Sequence, residues 1–239
     1  MKIGGVEISN PERPVVVAEV GCSHNGDYRL AMRLIGECAH AGADLIKFQA
    51  YTLNEILDLR GEGTVPEPWA GKAKSMRELY VKARTPLEWL PDLTGALHLM
   101  DMPWFSSVFG PESFALLEDL GCPAYKVAAL DRATGWAQGL AVDTDKPLIA
   151  SSPNGRLAWA DMTLFCPPGY PQQWGQSTFV TDQYDGISYH GTDVYQAMAL
   201  KNLGVCKMIE VHVQLDDVPS YLDAHSSLTV SQLSELCRA

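Results

Sequence analysis

The chain has 239 residues, 46% hydrophobic and 20% charged, enough for a single domain with a core of ordinary size. A formal net charge of −11 excludes a general affinity for nucleic acid or anionic membrane and leaves room only for a local basic pocket. No apolar run reaches the roughly 20 residues that cross a bilayer, and Met1 to Asn10 lacks the apolar core of a secretory leader.

In chain order, short apolar β-branched runs alternate with helical patterns. "VVVAEVG" (15–21) reads as a strand. It runs into "EVGCSHNGD", whose Gly26 and Asp27 suit a turn and a helix N-cap but whose Glu19 and His24 need another reason. A helix over 28–42 follows, stopped by Gly42. "DLIKFQAY" is a second strand, and the polar stretch carrying Gly61, Gly63, Pro66 and Pro68 reads as a long loop. "KSMRELYVKAR" and "TPLEWLPDLTGALHLM" read as helices, the second with Thr85 as N-cap and Pro86 at the first helical position. Strands "PWFSSVF", "AYKVAAL" and "PLIASS" come next, the first two each followed by a helical pattern and the third by little helix. "DMTLFCPP" is a strand, 167–184 an irregular loop, "YDGISYHG" a strand and "DVYQAMALKNLG" a helix. "KMIEVHVQL" is the eighth strand and "TVSQLSELCRA" the last helix.

Eight continuous apolar strands alternating with helices imply a parallel sheet covered by helices. In about 240 residues they suit a (β/α)8 TIM barrel forming one domain, 1–239. Sites of such barrels sit at the C-terminal ends of the strands. Polar residues collect there: Glu19; Lys47 and Gln49; Ser106 and Ser107; Lys126; Ser151 and Ser152; Ser188 and His190; Glu210 and His212.

Each admits more than one reading. Lys47 and Lys126 are a pocket for a small anion, a Schiff-base lysine, or ion-paired residues without a role. His190 and His212, from neighbouring strands, are a divalent-metal pair or unrelated buried histidines. Glu210 shares a strand face with His212 and is a third ligand or a substrate contact. Glu19 is a general base, a hydroxyl clamp, or the partner of one of the lysines. The six cysteines form no CxxC pair and read as free thiols of a reducing cytoplasm.

The chain resembles the sialic acid synthase family. "AEVGCSHNGD" is similar to AEIGxNHNG, "AGADLIKFQAY" to AGADAVKFQTF, "LGCPAYKVAAL" to LGVPAYKIAS and "KPLIASS" to KPIILSTG. "CPPGYP" is similar to CTxxYP, "GISYHG" to GYSDHT, "IEVHVQLD" to IEKHFTLD and "DAHSSL" to DHKASL; "FSSVF" stands where the family has a STPFD-type strand. The motifs occur in order along nearly the whole chain. The resemblance implies a transferase that condenses phosphoenolpyruvate with an aldehyde, an N-acyl sugar or related acceptor, releasing phosphate by C–O cleavage. It implies a divalent metal held by His190 and His212: manganese, with magnesium or cobalt as alternatives. It implies that Lys47, Lys126, Ser107, Ser151 and Ser188 hold phosphoenolpyruvate. Glu19, Gln49, Tyr170, Glu210 and Asp223 then face the sugar or the metal-bound water. A homodimer is also implied.

The departures are Ala129 for a serine, Pro168 for a polar residue, Tyr189 for an aspartate and Val211 for a lysine. Family synthases continue into a C-terminal antifreeze-like domain with a sugar-contacting arginine, whereas this sequence ends at Ala239, so the resemblance covers the barrel. The acceptor half is expected to differ more than the donor half. A different barrel aldolase or lyase, or a non-catalytic relative, are the alternatives.

Overall fold

The computed structural model describes residues 1–172 and 181–239. Eight parallel strands form its centre: β1 (Val15–Glu19), β2 (Leu45–Ala50), β3 (Trp104–Val108), β4 (Tyr125–Val127), β5 (Leu148–Ser152), β6 (Met162–Phe165), β7 (Gly186–Tyr189) and β8 (Met208–Gln214). They pair in sequence order, and β8 pairs with both β1 and β7, so the sheet closes into a barrel. This is the (β/α)8 architecture that the strand rhythm predicts. Among the described residues, no helix is long and apolar enough to cross a membrane.

The outer layer holds α1 (Tyr28–Ala41), α2 (Leu53–Arg60), α3 (Met76–Ala83), α4 (Leu90–Leu99), α5 (Pro111–Asp119), α6 (Gly135–Asp143), α7 (Val194–Lys201) and α8 (Val230–Arg238). Helix α1 shows how local chemistry fixes an element. The Asp27 carboxylate accepts from the N–H groups of Arg29 and Leu30, Gly42 ends the helix in the left-handed region, and Ala31, Leu34, Ile35 and Cys38 bury one face. The β5–β6 connection carries no helix, as expected. The predicted loop 167–184 lies partly outside the described residues.

Four features depart from the sequence reading. The stretch after β2 is not all loop: Thr52 and Glu55 form a capping box that starts α2. Glu55 then also accepts from the backbone N–H groups of Glu112 and Ser113, so one carboxylate caps α2 and α5 together. Thr85 is not an N-cap. Its hydroxyl donates to the Gly21 carbonyl (3.1 Å), and a 3₁₀ turn at Leu87–Trp89 precedes α4. Lys2–Ile3 and Val6–Glu7 form an antiparallel hairpin at the N-terminal ends of the strands, where Ile3 is fully buried and Gly4 abuts Pro103. Ser227–Thr229 adds a short parallel strand beside β8.

Two apolar clusters result. The larger lies between barrel and helices. The smaller joins Cys22, Tyr51, Ile56, Leu57, Met76, Leu79, Phe109 and Leu222 above the strand C-termini. It anchors the α2–α3 insertion over the barrel mouth.

Candidate active site

Aligned residues of neighbouring parallel strands point to the same side, and residues two apart on one strand do likewise. The register therefore assembles the lumen. Glu19 is level with Lys47 and with His212; Gln49 with Ser107; Ser107 with Lys126; Glu210 with Ser188. Val17 and Leu45, two residues earlier on β1 and β2, share this face and are fully buried beneath it. Ser106 takes the opposite face, donating to the Ser107 carbonyl, and is not part of the site.

The two lysines sit in different surroundings. Lys47, 3% exposed, is ion-paired with Glu19, donates to Ser107 Oγ at 2.9 Å and lies 3.7 Å from Glu210 Oε1. Burial opposes its charge, but the two carboxylates outweigh burial and raise its pKa. Lys126, 2% exposed, donates to Ser151 Oγ (2.7 Å) and to the Val127 carbonyl (3.2 Å). No carboxylate of the described residues lies within ion-pair distance of it, and burial lowers its pKa. The lumen thus holds one lysine in contact with carboxylates and one whose nearest carboxylates, Glu210 among them, lie beyond ion-pair distance.

The carboxylates are prepared as acceptors. Glu19 Oε1 accepts from the Gly21 N–H (2.7 Å) and from Gln49 Nε2 (3.1 Å). A Cβ on residue 21 would lie 2.5 Å from that oxygen, so the glycine of "EVG" is required by the glutamate two residues before it. Glu210 Oε1 accepts from Ser188 Oγ (3.1 Å), while its buried Oε2 has no hydrogen-bond partner among the described residues. Burial would raise the Glu210 pKa, but Lys47, Lys126 and the two histidines hold it down at about 2.

At the mouth the imidazoles of His190 and His212 face each other, ring centroids 4.9 Å apart. His212 Nδ1 lies 3.3 Å from Asp223 Oδ2. Burial works against its protonation, and the Asp223 hydrogen bond prevails and raises its pKa. Burial also raises the Asp223 carboxyl, yet His212 draws it down to about 2. His190 is pushed well below the ordinary histidine range by burial and by His212. Tyr170 OH is 3.4 Å from His190 Nε2.

All twelve predicted site residues therefore converge: Glu19, Lys47, Gln49, Ser107, Lys126, Ser151, Ser188 and Glu210 in the lumen, with His190, His212, Tyr170 and Asp223 at its rim. Among the described residues no group of three or more histidines, cysteines or carboxylates is placed to hold a metal ion. Two facing imidazoles are a donor pair that divalent ions accept, two ligands short of a closed protein site. One is held neutral, and the other is oriented by a carboxylate on its far nitrogen, the usual support of a metal-binding histidine.

Sequence reasoning missed Gln172, whose Nε2 donates to the Ser188 carbonyl (2.6 Å) and lies 2.9 Å from His190 Nδ1. It also missed Trp69 and His225, which pack on each other and, through Trp69, on Tyr170. No spacing rule points to them, because they come from three separate loops. His24, flagged by sequence, turns away: its Nδ1 accepts from the Gly26 N–H (3.0 Å), Nε2 lies 3.3 Å from Thr85 Oγ1, and the ring packs edge-on against Trp89. Two departures also turn away from the lumen. Val211 lies in the outer core, and the Tyr189 hydroxyl donates to the Asp193 carbonyl (2.9 Å). A Cβ on residue 191 would lie 2.5 Å from the Tyr189 hydroxyl, so Gly191 accompanies that tyrosine.

The family model described as NeuB matches residues 34–158. This chain belongs to the NeuB family. Among the relatives of this NeuB chain, pseudaminic acid synthase of Helicobacter pylori is 35% identical over 140 residues, 58% of this chain and 41% of that protein. N,N'-diacetyllegionaminic acid synthase of Campylobacter jejuni is 25% identical across 95% of this chain and 75% of its own length. The NeuB chain thus aligns with well under half of the Helicobacter relative. The crystal structure of N-acetylneuraminic acid (sialic acid) synthetase from Leptospira borgpetersenii in complex with citrate superposes with a TM-score of 0.78 and 20% identity. It covers 100% of this chain and 86% of that one, and supports the fold.

Proposed function

We propose that this NeuB chain is a cytoplasmic, metal-dependent synthase that condenses phosphoenolpyruvate with an aldehyde acceptor. The observation that carries the reading is Lys126, a buried cation hydrogen-bonded to Ser151 and lacking a carboxylate partner among the described residues. A buried charge without a partner is strongly unfavourable, and a phosphate or carboxylate beside Lys126 removes that penalty. The names of the relatives support the same chemistry. Six free cysteines support the cytoplasmic setting.

In this reading Lys126, Ser151, Ser107 and Ser188 hold the donor. His190 and His212 hold the divalent ion, which supplies Lewis-acid polarisation of the aldehyde when bound. Carbon 3 of phosphoenolpyruvate bonds to the aldehyde carbon, whose oxygen gains a proton. Water bonds to carbon 2 and gives up one proton, which balances the one gained by the aldehyde oxygen; as the bond from carbon 2 to the phosphate oxygen breaks, the second proton leaves with phosphate and carbon 2 becomes a carbonyl. Glu210, ionised with one oxygen unpartnered, accepts a hydrogen bond from the water or from an acceptor hydroxyl. Lys47, kept protonated by Glu19 and Glu210, is a donor rather than a nucleophile.

A second reading follows from the lowered pKa of Lys126, which is also what a Schiff-base lysine needs. Calorimetry of phosphoenolpyruvate with manganese, in wild type and Lys126→Met, separates the two. Donor binding lost in Lys126→Met supports the synthase. Absence of donor binding in wild type, together with a borohydride-trapped pyruvate adduct on Lys126, replaces it by the aldolase.

A further inference from the structure

Gln172 touches the histidine pair but has no part in the proposed chemistry. It lies on the connection from β6 to β7 and is half-buried. Its backbone N–H donates to the His190 carbonyl (3.0 Å). Its side-chain Nε2 sits between two atoms of the β7 end, 2.6 Å from the Ser188 carbonyl oxygen and 2.9 Å from His190 Nδ1. Its Oε1 is shielded from solvent and has no hydrogen-bond partner among the described residues.

These contacts fix where the ring hydrogen of His190 sits. A carbonyl oxygen only accepts, so the amide atom 2.6 Å from it is the nitrogen; turning the amide over would set oxygen against oxygen. The amide nitrogen carries two hydrogens, one for the Ser188 carbonyl and one for His190 Nδ1. Nδ1 therefore meets a donor and bears no hydrogen of its own. A further neighbour of Nδ1, Cys166 Sγ at 3.8 Å, is too weak an acceptor to reverse this. The hydrogen lies on Nε2, 3.4 Å from the Tyr170 hydroxyl.

His212 is set the opposite way. An acceptor, Asp223 Oδ2, stands 3.3 Å from its Nδ1, which draws the hydrogen to Nδ1 and leaves Nε2 for an ion. A metal needs a ring nitrogen with a free lone pair. His190 offers none, because Gln172 occupies Nδ1 and a hydrogen occupies Nε2. One histidine of the pair is ready and the other is not.

We infer that Gln172 is a latch on His190, a positioning residue that holds this imidazole in the tautomer unable to take a metal and lets go when the ion binds. The inference rests on the metal pair of the synthase reading and adds a control on its loading. Two movements release the latch. The amide withdraws and frees Nδ1, or it turns so that the unpartnered Oε1 accepts from Nδ1–H and Nε2 is freed. Either breaks the bond to the Ser188 carbonyl, so the ion binds against a hydrogen bond that the metal-free chain keeps.

Nitrogen-15 NMR of the imidazoles in the metal-free protein reads the tautomer, with His190 assigned by its loss in His190→Gln. Manganese titrations, followed by the free-ion signal in electron paramagnetic resonance, read the affinity. Wild-type His190 shows its hydrogen on Nε2, a result that needs no variant at residue 172. Gln172→Glu, which offers only oxygens at the same length, moves the hydrogen to Nδ1. Gln172→Met keeps the length and the backbone bond but has no amide. It binds manganese about ten-fold tighter than wild type, the scale of one hydrogen bond no longer broken. A residue that only supported the β7 end would give the reverse, weaker binding on its removal. Hydrogen on Nδ1 in wild type overturns the inference, as does unchanged or weaker manganese binding in Gln172→Met. Manganese bound by wild type but no tighter by Gln172→Met sinks the latch alone. Manganese bound by neither protein refutes the metal pair of the synthase reading, and the latch with it.

Discussion

The lumen and the mouth of this barrel are built by different rules. The lumen residues lie on strands, and hydrogen-bonded register fixes their height and side: Glu19 beside Lys47, Gln49 beside Ser107, Ser107 beside Lys126. The mouth residues lie on loops and are fixed by long-range contacts, such as Lys72 on Tyr221 and Gln172 on His190. Strand-borne groups can therefore hold an unpaired charge in place, as Lys126 shows, because the ladder positions them whatever their own preference. Loop-borne groups are under no such constraint.

The largest effect should come from the unpaired cation. In the synthase reading Lys126→Ala removes a charge-assisted hydrogen bond to the donor, so affinity for phosphoenolpyruvate should fall about 100-fold by calorimetry. Ser151→Ala, which removes only the neutral partner of Lys126, should lower affinity by about ten-fold or less. Equal affinities in wild type and Lys126→Ala would remove the distinction between the two lysines.

The second effect separates a polar residue that works from one that folds. His24 is buried, and its pKa falls to about 4, chiefly through desolvation. Its unfolded value is about 6.5, so the unfolded chain binds the extra proton first. Stability supplied by neutral His24 is thus complete above about pH 6.5 and is lost as pH falls towards 4; at about 1.4 kcal/mol per pH unit this amounts to roughly 3 kcal/mol. Urea unfolding of His24→Gln at pH 7 and pH 4.5 should show a smaller acid loss than wild type. Identical pH slopes would mean that His24 is hydrated.

These cases show what could be read from sequence. Apolar strands interrupted by charged residues marked the lumen, because a lysine or glutamate with the same parity as core residues must face inward. The N-terminal hairpin had a readable signal in Gly4-Gly5, both with positive φ, and α2 had one in the Thr52–Glu55 spacing. Thr85 misled because its hydroxyl serves a carbonyl far away in sequence. Trp69, Gln172 and His225 were not legible, since nothing local relates three loops. Outward positions were legible in principle: Tyr189 and Val211 alternate with Ser188, Glu210 and His212, so those departures from the family pattern leave the lumen intact.

Asp223 belongs to both regions, a loop residue serving a strand residue. Asp223→Asn keeps the shape but weakens the anchor on His212 Nδ1, and manganese affinity should fall about ten-fold, read by the free-ion signal in electron paramagnetic resonance. Unchanged affinity would show that β8 alone orients His212.

The smallest effect tests the alternation itself. Tyr189 faces α7, where its hydroxyl also accepts from the Asp193 N–H at 3.2 Å. Tyr189→Phe should destabilise the fold by about 1 kcal/mol, one net hydrogen bond, and leave phosphoenolpyruvate affinity untouched. Its neighbours Ser188 and His190 point the other way on the same short strand end. A change in donor affinity without a change in stability would place Tyr189 in the lumen, and would undo the face assignment on which Ser188, Glu210 and His212 all depend.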